Sequence, residues 1–192
     1  MSDIKIGLTG KMRSGKDTVA DYLVENYGFT KFAFGDALKR YVHEIFDVNP
    51  NEKPRDIYQR FGQYCRAIDE DVWVRKCFQS IAESEKTPLT HLVRGNRVFR
   101  PIITDIRQPN EYARCRVEGF VIIRVKADDS VRLERAREAG DKFDEESLNH
   151  ETERHVDGFE VDFDIDNNGT WRGMAEQVDV IMRELGAKEG IN

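Results

Sequence analysis

Residues Ile4 to Thr18 read IKIGLTGKMRSGKDT. Ile4, Ile6 and Leu8 alternate as a buried strand does, Gly10, Gly15 and Lys16 supply the spacing Gly-x-x-x-x-Gly-Lys, and Val19, Ala20, Leu23 and Val24 then recur at helical spacing. A strand, glycine-rich loop and helix in this order form a phosphate cradle. Backbone N–H groups and the helix N-terminus face a polyphosphate, while one lysine neutralises the phosphoryl being transferred. The bare spacing arises by chance in roughly one chain in twenty of this length, so the flanking strand and helix carry the reading. Asp17 stands where Ser or Thr would ligate magnesium, and Thr18 follows it; the pattern alone does not supply that metal contact. Arg13, inside the loop, either adds a cation beside Lys16 or faces solvent.

The chain has 192 residues and a net charge of -6 with both signs dispersed, which predicts one domain and no surface for polymeric nucleic acid or a charged membrane. No apolar stretch reaches the roughly 18 to 20 residues that a membrane span needs. The N-terminal MSDIKIG lacks a cationic-apolar signal architecture, so a cytoplasmic protein is expected. Cys65, Cys77 and Cys115 form no Cys-x-x-Cys pair and read as buried free thiols.

Further along, Thr30 to Gly35 predicts a short strand with Phe32 and Phe34 on one face, and Asp36 can cap a helix whose stripe is Leu38, Tyr41, Val42, Ile45 and Phe46. Helices are expected from near Pro54 and over 71–84. Gly95-Asn96 suggests a hairpin turn, followed by a buried strand at Pro101 to Ile106 and a short helix over 110–117. FVIIRVK, residues 120–126, is the clearest buried strand. A helix over 130–139 stops at Gly140; Asp141 to Phe159 is charged and reads as an exposed segment outside the core. A strand at Phe163 to Asp166 then precedes a helix over 170–185, and the tail beyond Gly186 is expected to fray.

Strands alternating with helices predict an α/β fold, a parallel sheet covered on both faces, with ligands beyond the carboxyl ends of the strands. Candidate residues should therefore follow strands. Asp36 could orient an acceptor or simply cap its helix, and Lys39, one turn on, could meet a phosphate or solvent. Thr104-Asp105-Ile106-Arg107 puts a carboxylate and a guanidinium at the end of a buried strand, where charges are costly unless paired or used. Arg132 and Arg135 share a helix face, whereas Arg137 points elsewhere.

Together, GLTGKMRSGKDT, FAFGDALK, RFGQYCRAIDEDVW, ITDIRQPNE and DFDIDNNGT make the chain resemble the bacteriophage-type deoxynucleoside monophosphate kinases, within the P-loop nucleoside monophosphate kinase group. The GKD form of the loop is similar to that branch's own pattern. The resemblance implies a P-loop kinase fold with a five-stranded parallel sheet, one domain over 1–192 and an arginine-bearing lid over 130–160. It implies ATP and Mg2+ at Gly10, Lys11, Ser14, Gly15, Lys16, Asp17 and Thr18, with Asp17 helping to place the metal and Asn167, Asn168 and Gly169 lying against adenine. Lys16, Arg13 and one or more of Arg132, Arg135 and Arg137 would act on the phosphates. Asp36, Lys39, Arg66, Asp105 and Arg107 would form the acceptor site, and Tyr64 and Trp73 would either stack on the acceptor base or pack in the core.

The expected activity is magnesium-assisted transfer of the γ-phosphoryl of ATP to a deoxynucleoside monophosphate, in the host cytoplasm if the chain is phage-encoded. Phosphomevalonate kinase and dephospho-coenzyme A kinase are the rivals within the class. A GTP-binding switch, which would need an Asn-Lys-x-Asp motif the chain lacks, and a catalytically dead nucleotide-binding module are the rivals outside it. The sequence does not decide between a monomer and a homodimer.

Overall fold

Strand β1 (Ile6–Thr9) is buried along its whole length and occupies the centre of the main sheet. The computed structural model describes residues 4–49, 54–86, 92–93, 96–140 and 155–187. After β1 come α1 (Lys16–Tyr27), β2 (Thr30–Phe32), α2 (Gly35–Phe46), α3 (Arg55–Ile68), α4 (Val72–Lys86), β3 (Leu92–Val93) and β4 (Asn96–Arg97). Then follow β5 (Pro101–Ile106), α5 (Pro109–Val117), β6 (Val121–Lys126), α6 (Asp129–Glu138), a 3-10 turn (Val156–Gly158), β7 (Phe163–Asp166) and α7 (Trp171–Glu184). The five-stranded parallel sheet has the order β2-β5-β1-β6-β7, and β3 pairs with β4 as a separate antiparallel hairpin. Among the described residues no helix is long and apolar enough to cross a membrane.

The chain divides into two compact units, Met1–Lys31 with Leu89–Asn192, and Phe32–Pro88. In the first, the apolar face of β1 (Ile6, Leu8) meets Val19, Ala20 and Leu23 of α1, Ile123 and Val125 of β6, Ile165 of β7, and Met174 and Val178 of α7. Gly28, with φ of 69°, ends α1, as the sequence predicts. Thr170 starts α7 by accepting from the Gly173 N–H at 3.2 Å. In the second unit, Ala37, Val42, Gly62, Trp73, Val74, Cys77 and Ile81 are buried on α2, α3 and α4. Trp73 is a core aromatic there: its Nε1 donates to the Gly62 carbonyl at 3.3 Å, and its ring lies 6.1 Å from that of Phe61. Cys65, Cys77 and Cys115 form no disulfide; Cys77 and Cys115 are buried and Cys65 is half-buried.

Several elements depart from expectation. β2 stops at Phe32, because the Asp36 carboxylate accepts from the Ala33 N–H at 2.9 Å and turns the chain into α2; Phe34 is buried but already in helical backbone. The hairpin pairs Asn96 with Val93, so Asn96 is a strand residue and not part of the turn; residues 94–95 lie outside the described ones. Of the charged stretch 141–159, residues 141–154 lie outside the described ones, and its end is packed. Val156 is buried, and the Phe159 ring stacks on Tyr112 at 4.6 Å. These two apolar residues, three apart, dock it together with Arg124, whose Nη1 donates to the carbonyls of Asp157 at 3.2 Å and Phe159 at 3.5 Å. At the other end of the chain, Ala187 packs against the core.

Gly7 shows how tightly β1 is enclosed. A Cβ there would come within 2.5 Å of Ile106 Cδ1 and 3.0 Å of Ile122 Cδ1. Gly7→Ala is therefore expected to destabilise the protein by about 1–3 kcal/mol through overpacking, measured as a lowered urea midpoint with an unchanged slope.

Candidate nucleotide site

The loop between β1 and α1 needs left-handed or extended backbone at three points: Gly10 (φ 146°), Arg13 (φ 61°) and Gly15 (φ 100°). Space as well as torsion calls for glycine at two of them. A Cβ on Gly10 would collide with the Val125 carbonyl, and one on Gly15 with the Asn167 amide. Lys16 opens α1, is buried, and curls back so that Nζ donates to the carbonyls of Gly10 at 2.7 Å and Lys11 at 2.9 Å. The Ser14 N–H closes a turn on the Lys11 carbonyl at 3.2 Å. The Ser14 hydroxyl is buried with no hydrogen-bond partner among the described residues. A loop with glycine where side chains would clash, an enclosed lysine and an orphaned hydroxyl fits a polyphosphate. Asp17 and Thr18 are exposed on the first turn of α1, and Arg13 is half-buried.

Arg132 and Arg135 both reach the outside of this loop. Arg132 is 1% exposed; its Nε donates to the Met12 carbonyl at 2.7 Å and its Nη1 to Asp129 at 2.6 Å. Arg135 directs Nη1 at the carbonyls of Arg13 (3.5 Å) and Ser14 (3.4 Å) and Nη2 at that of Asn167 (2.8 Å). Asn167 is itself buried and donates from Nδ2 to the Ser14 carbonyl at 2.8 Å. Arg137 is exposed. Beyond Asn167, Asn168 accepts from the Asp128 N–H at 2.7 Å, and Gln177 bonds both backbone groups of Asp166 at 2.9 and 2.8 Å, which fixes the loop before exposed Gly169.

A cleft of about 440 Å³ opens beside the loop, lined by Gly10, Lys11, Arg124 to Asp128, Val156 and Asp157. Lys11 pairs with Asp157 at 2.9 Å. Arg124 grips Asp164 at 2.7 and 3.2 Å, and Lys126 joins the same carboxylate at 2.9 Å.

At the end of β5 the pairing with β1 slips: Gly7 faces Ile103 but Thr9 faces Ile106, so one extra residue is accommodated around Thr104 and Asp105. Such a bulge re-aims the side chains that follow it. Thr9 Oγ1 bonds the Ile106 carbonyl at 3.0 Å, and buried Glu111 accepts from the N–H groups of both Arg107 and Gln108 at 2.9 Å. Sequence reasoning passed over Glu111. Its signal was present in Gln108-Pro109-Asn110-Glu111, a capping box with proline in the first turn. Asp105 and Arg107 are half-buried.

In the second unit, Lys39 lies 3.8 Å from Asp36, Arg66 is half-buried near Gly62, and Tyr64 is 69% exposed, whereas Trp73 is in the core. Among the described residues no three of His, Cys, Asp and Glu come together as a metal cage. Magnesium commonly keeps only one or two carboxylates and takes its other ligands from water and phosphate, so Asp17 can serve without such a cage.

Fold and loop together define a P-loop α/β protein with the P-loop kinase architecture. The sequence pattern of the AAA domain family matches residues 6–155, and the chain belongs to that family. A viral relative, the uncharacterized protein ORF77 of Ictalurid herpesvirus 1 (strain Auburn), is 36% identical over 109 residues, covering 55% of this chain and 43% of its own. The chain thus spans less than half of that relative's length. Among solved structures, TT1252 from Thermus thermophilus is similar with a TM-score of 0.59 at 19% identity, covering 96% of this chain and 99% of its own. The tunicamycin resistance protein of Deinococcus radiodurans gives 0.60 at 14% identity with full coverage of both chains. Shikimate kinase from Aquifex aeolicus gives 0.50 at 14% identity, covering 95% of this chain and 96% of its own. At these identities the likeness is one of fold.

The Arg124 guanidinium, followed by Lys126, holds the Asp164 carboxyl below its ordinary value. A lowered folded value stabilises the protein above the unfolded pKa and is lost as pH falls through the folded one. The melting temperature should therefore drop as pH is lowered below about 4, and Asp164→Asn should flatten that drop; an unchanged profile would contradict the assignment.

Proposed function

We propose that the protein transfers the γ-phosphoryl of ATP to a deoxynucleoside monophosphate, releasing ADP and the deoxynucleoside diphosphate. The observation that carries the reading is the β1 loop, where glycine torsions, the enclosed Lys16 and the start of α1 combine. Phosphoryl transfer passes through a loose, anionic transition state and needs positioning and charge neutralisation more than covalent chemistry. Magnesium, bound with ATP, supplies part of that neutralisation. Lys16 leaves the carbonyls of Gly10 and Lys11 for the β- and γ-phosphates, and Arg13 adds positive charge. Gly10, Lys11, Ser14, Gly15 and Thr18 surround the phosphates, with Asp17 toward the metal, and Asn168 and Gly169, just beyond Asn167, lie against the adenine. The candidates for binding the acceptor are Asp105 and Arg107 in one unit and Asp36, Lys39 and Arg66 in the other.

A second reading, phosphorylation of another small molecule, is supported by the fold shared with a shikimate kinase and extends to phosphomevalonate and dephospho-coenzyme A. One assay separates the two: acceptor-dependent ADP release from ATP and Mg2+, with the phosphorylated product identified, across the deoxynucleoside and ribonucleoside monophosphates, beside shikimate, phosphomevalonate and dephospho-coenzyme A. Turnover confined to the latter three would overturn the choice of acceptor. Lys16→Ala should lower kcat by about a hundredfold or more with the preferred acceptor while leaving the circular dichroism spectrum unchanged.

A further inference from the structure

A peptide unit that turns its N–H toward a bound phosphate turns its C=O the other way, so a phosphate loop needs donors on its outer side as much as an anion on its inner side. Here the outer side is furnished by side chains. Arg132 serves the Met12 carbonyl, the Asn167 amide serves that of Ser14, and Arg135 holds the Asn167 carbonyl at 2.8 Å while lying 3.4 to 3.5 Å from the carbonyls of Ser14 and Arg13. We propose that Arg132, Arg135 and Asn167 are positioning residues that set the phosphate cradle from its carbonyl side, Arg132 directly and Arg135 through Asn167. The inference rests on the reading of the loop as a polyphosphate site.

Three observations support it. The Arg132 side chain is 2% exposed, and its guanidinium spans from Met12, through Nε, to Asp129, through Nη1, which anchors it on the outer side of the loop. Asn167 stands so close to Gly15 that the loop and the amide fit only while residue 15 lacks a Cβ. The Asn167 backbone is pinned in turn, its N–H donating to the Lys126 carbonyl at 2.8 Å, so the amide cannot drift away from the loop.

The test is calorimetric titration of the full chain with ATP and, separately, inorganic triphosphate, followed by steady-state kinetics with the preferred acceptor. Asn167→Ala and Arg135→Ala should each weaken both ligands by the same factor, about tenfold. KM for ATP should rise in step, with kcat changing less than about threefold. Arg135→Lys, able to reach one carbonyl but not to fork, should recover part of the loss. Arg132 itself is too deeply buried to remove safely. Asp129→Ala, at a side chain 71% exposed, loosens it instead and should weaken triphosphate about two- to threefold, multiplying with Asn167→Ala because the two act on different carbonyls. A hundredfold loss of kcat with unchanged triphosphate affinity would make the arginines transition-state ligands and overturn the proposal. Weakening of ATP but not of triphosphate would place Asn167 on the base and overturn its part. Variants that bind both ligands like the parent sink this inference alone, whereas a parent that binds neither sinks the nucleotide site and this inference with it.

Discussion

A carbonyl oxygen turned into protein without a donor costs about 1–3 kcal/mol, and the loop between β1 and α1 has three in succession, at Met12, Arg13 and Ser14, facing α6 and the segment after β7. Their satisfaction ties together elements far apart in sequence. Asn167 can reach Ser14 because β7 pairs with β6 in the register that sets Lys126 against Asp166. A slip of one residue would turn the alternate face of β7 inward and carry the amide away. The sheet's register and the shape of the loop are therefore parts of one constraint.

The ion pairs on the exposed side of β6 and β7 serve the same register. Asp162 accepts from the Ile122 N–H at 2.7 Å and pairs with Arg116 at 2.6 Å, while Asp164 binds Arg124 and Lys126. Exposed pairs contribute little stability individually, but each of these favours one alignment of the two strands. Tyr22 and Tyr27 of α1 both donate to Asp179 Oδ1 of α7, at 2.7 and 2.8 Å, and fix the helix pair on the opposite face.

Much of this was legible in the residues alone because it depends on local pattern. β1, β5, β6 and β7 come from uninterrupted or alternating apolar runs, α1 from its glycine stop, and the phosphate loop from a spacing whose torsions few other residues tolerate. What stayed hidden depends on partners distant in sequence. Phe34 alternates like a strand residue, but the bond between Asp36 and Ala33 turns the chain first. Val156 and Phe159 sit among charges, and only Tyr112 across the fold reveals the ring stack. Helical spacing puts Arg132 and Arg135 on one face without saying whether that face meets solvent, a ligand or a row of carbonyls; the contacts do.

The unit Phe32–Pro88 is one unbroken piece of chain, whereas the strands β5, β1, β6 and β7, the phosphate loop and its supports all belong to the other unit. No residue between β2 and β3 takes part in the backbone pairing of β1 with β5 and β6, so a loop inserted there lengthens the chain without adding a residue to any strand that carries the phosphate loop.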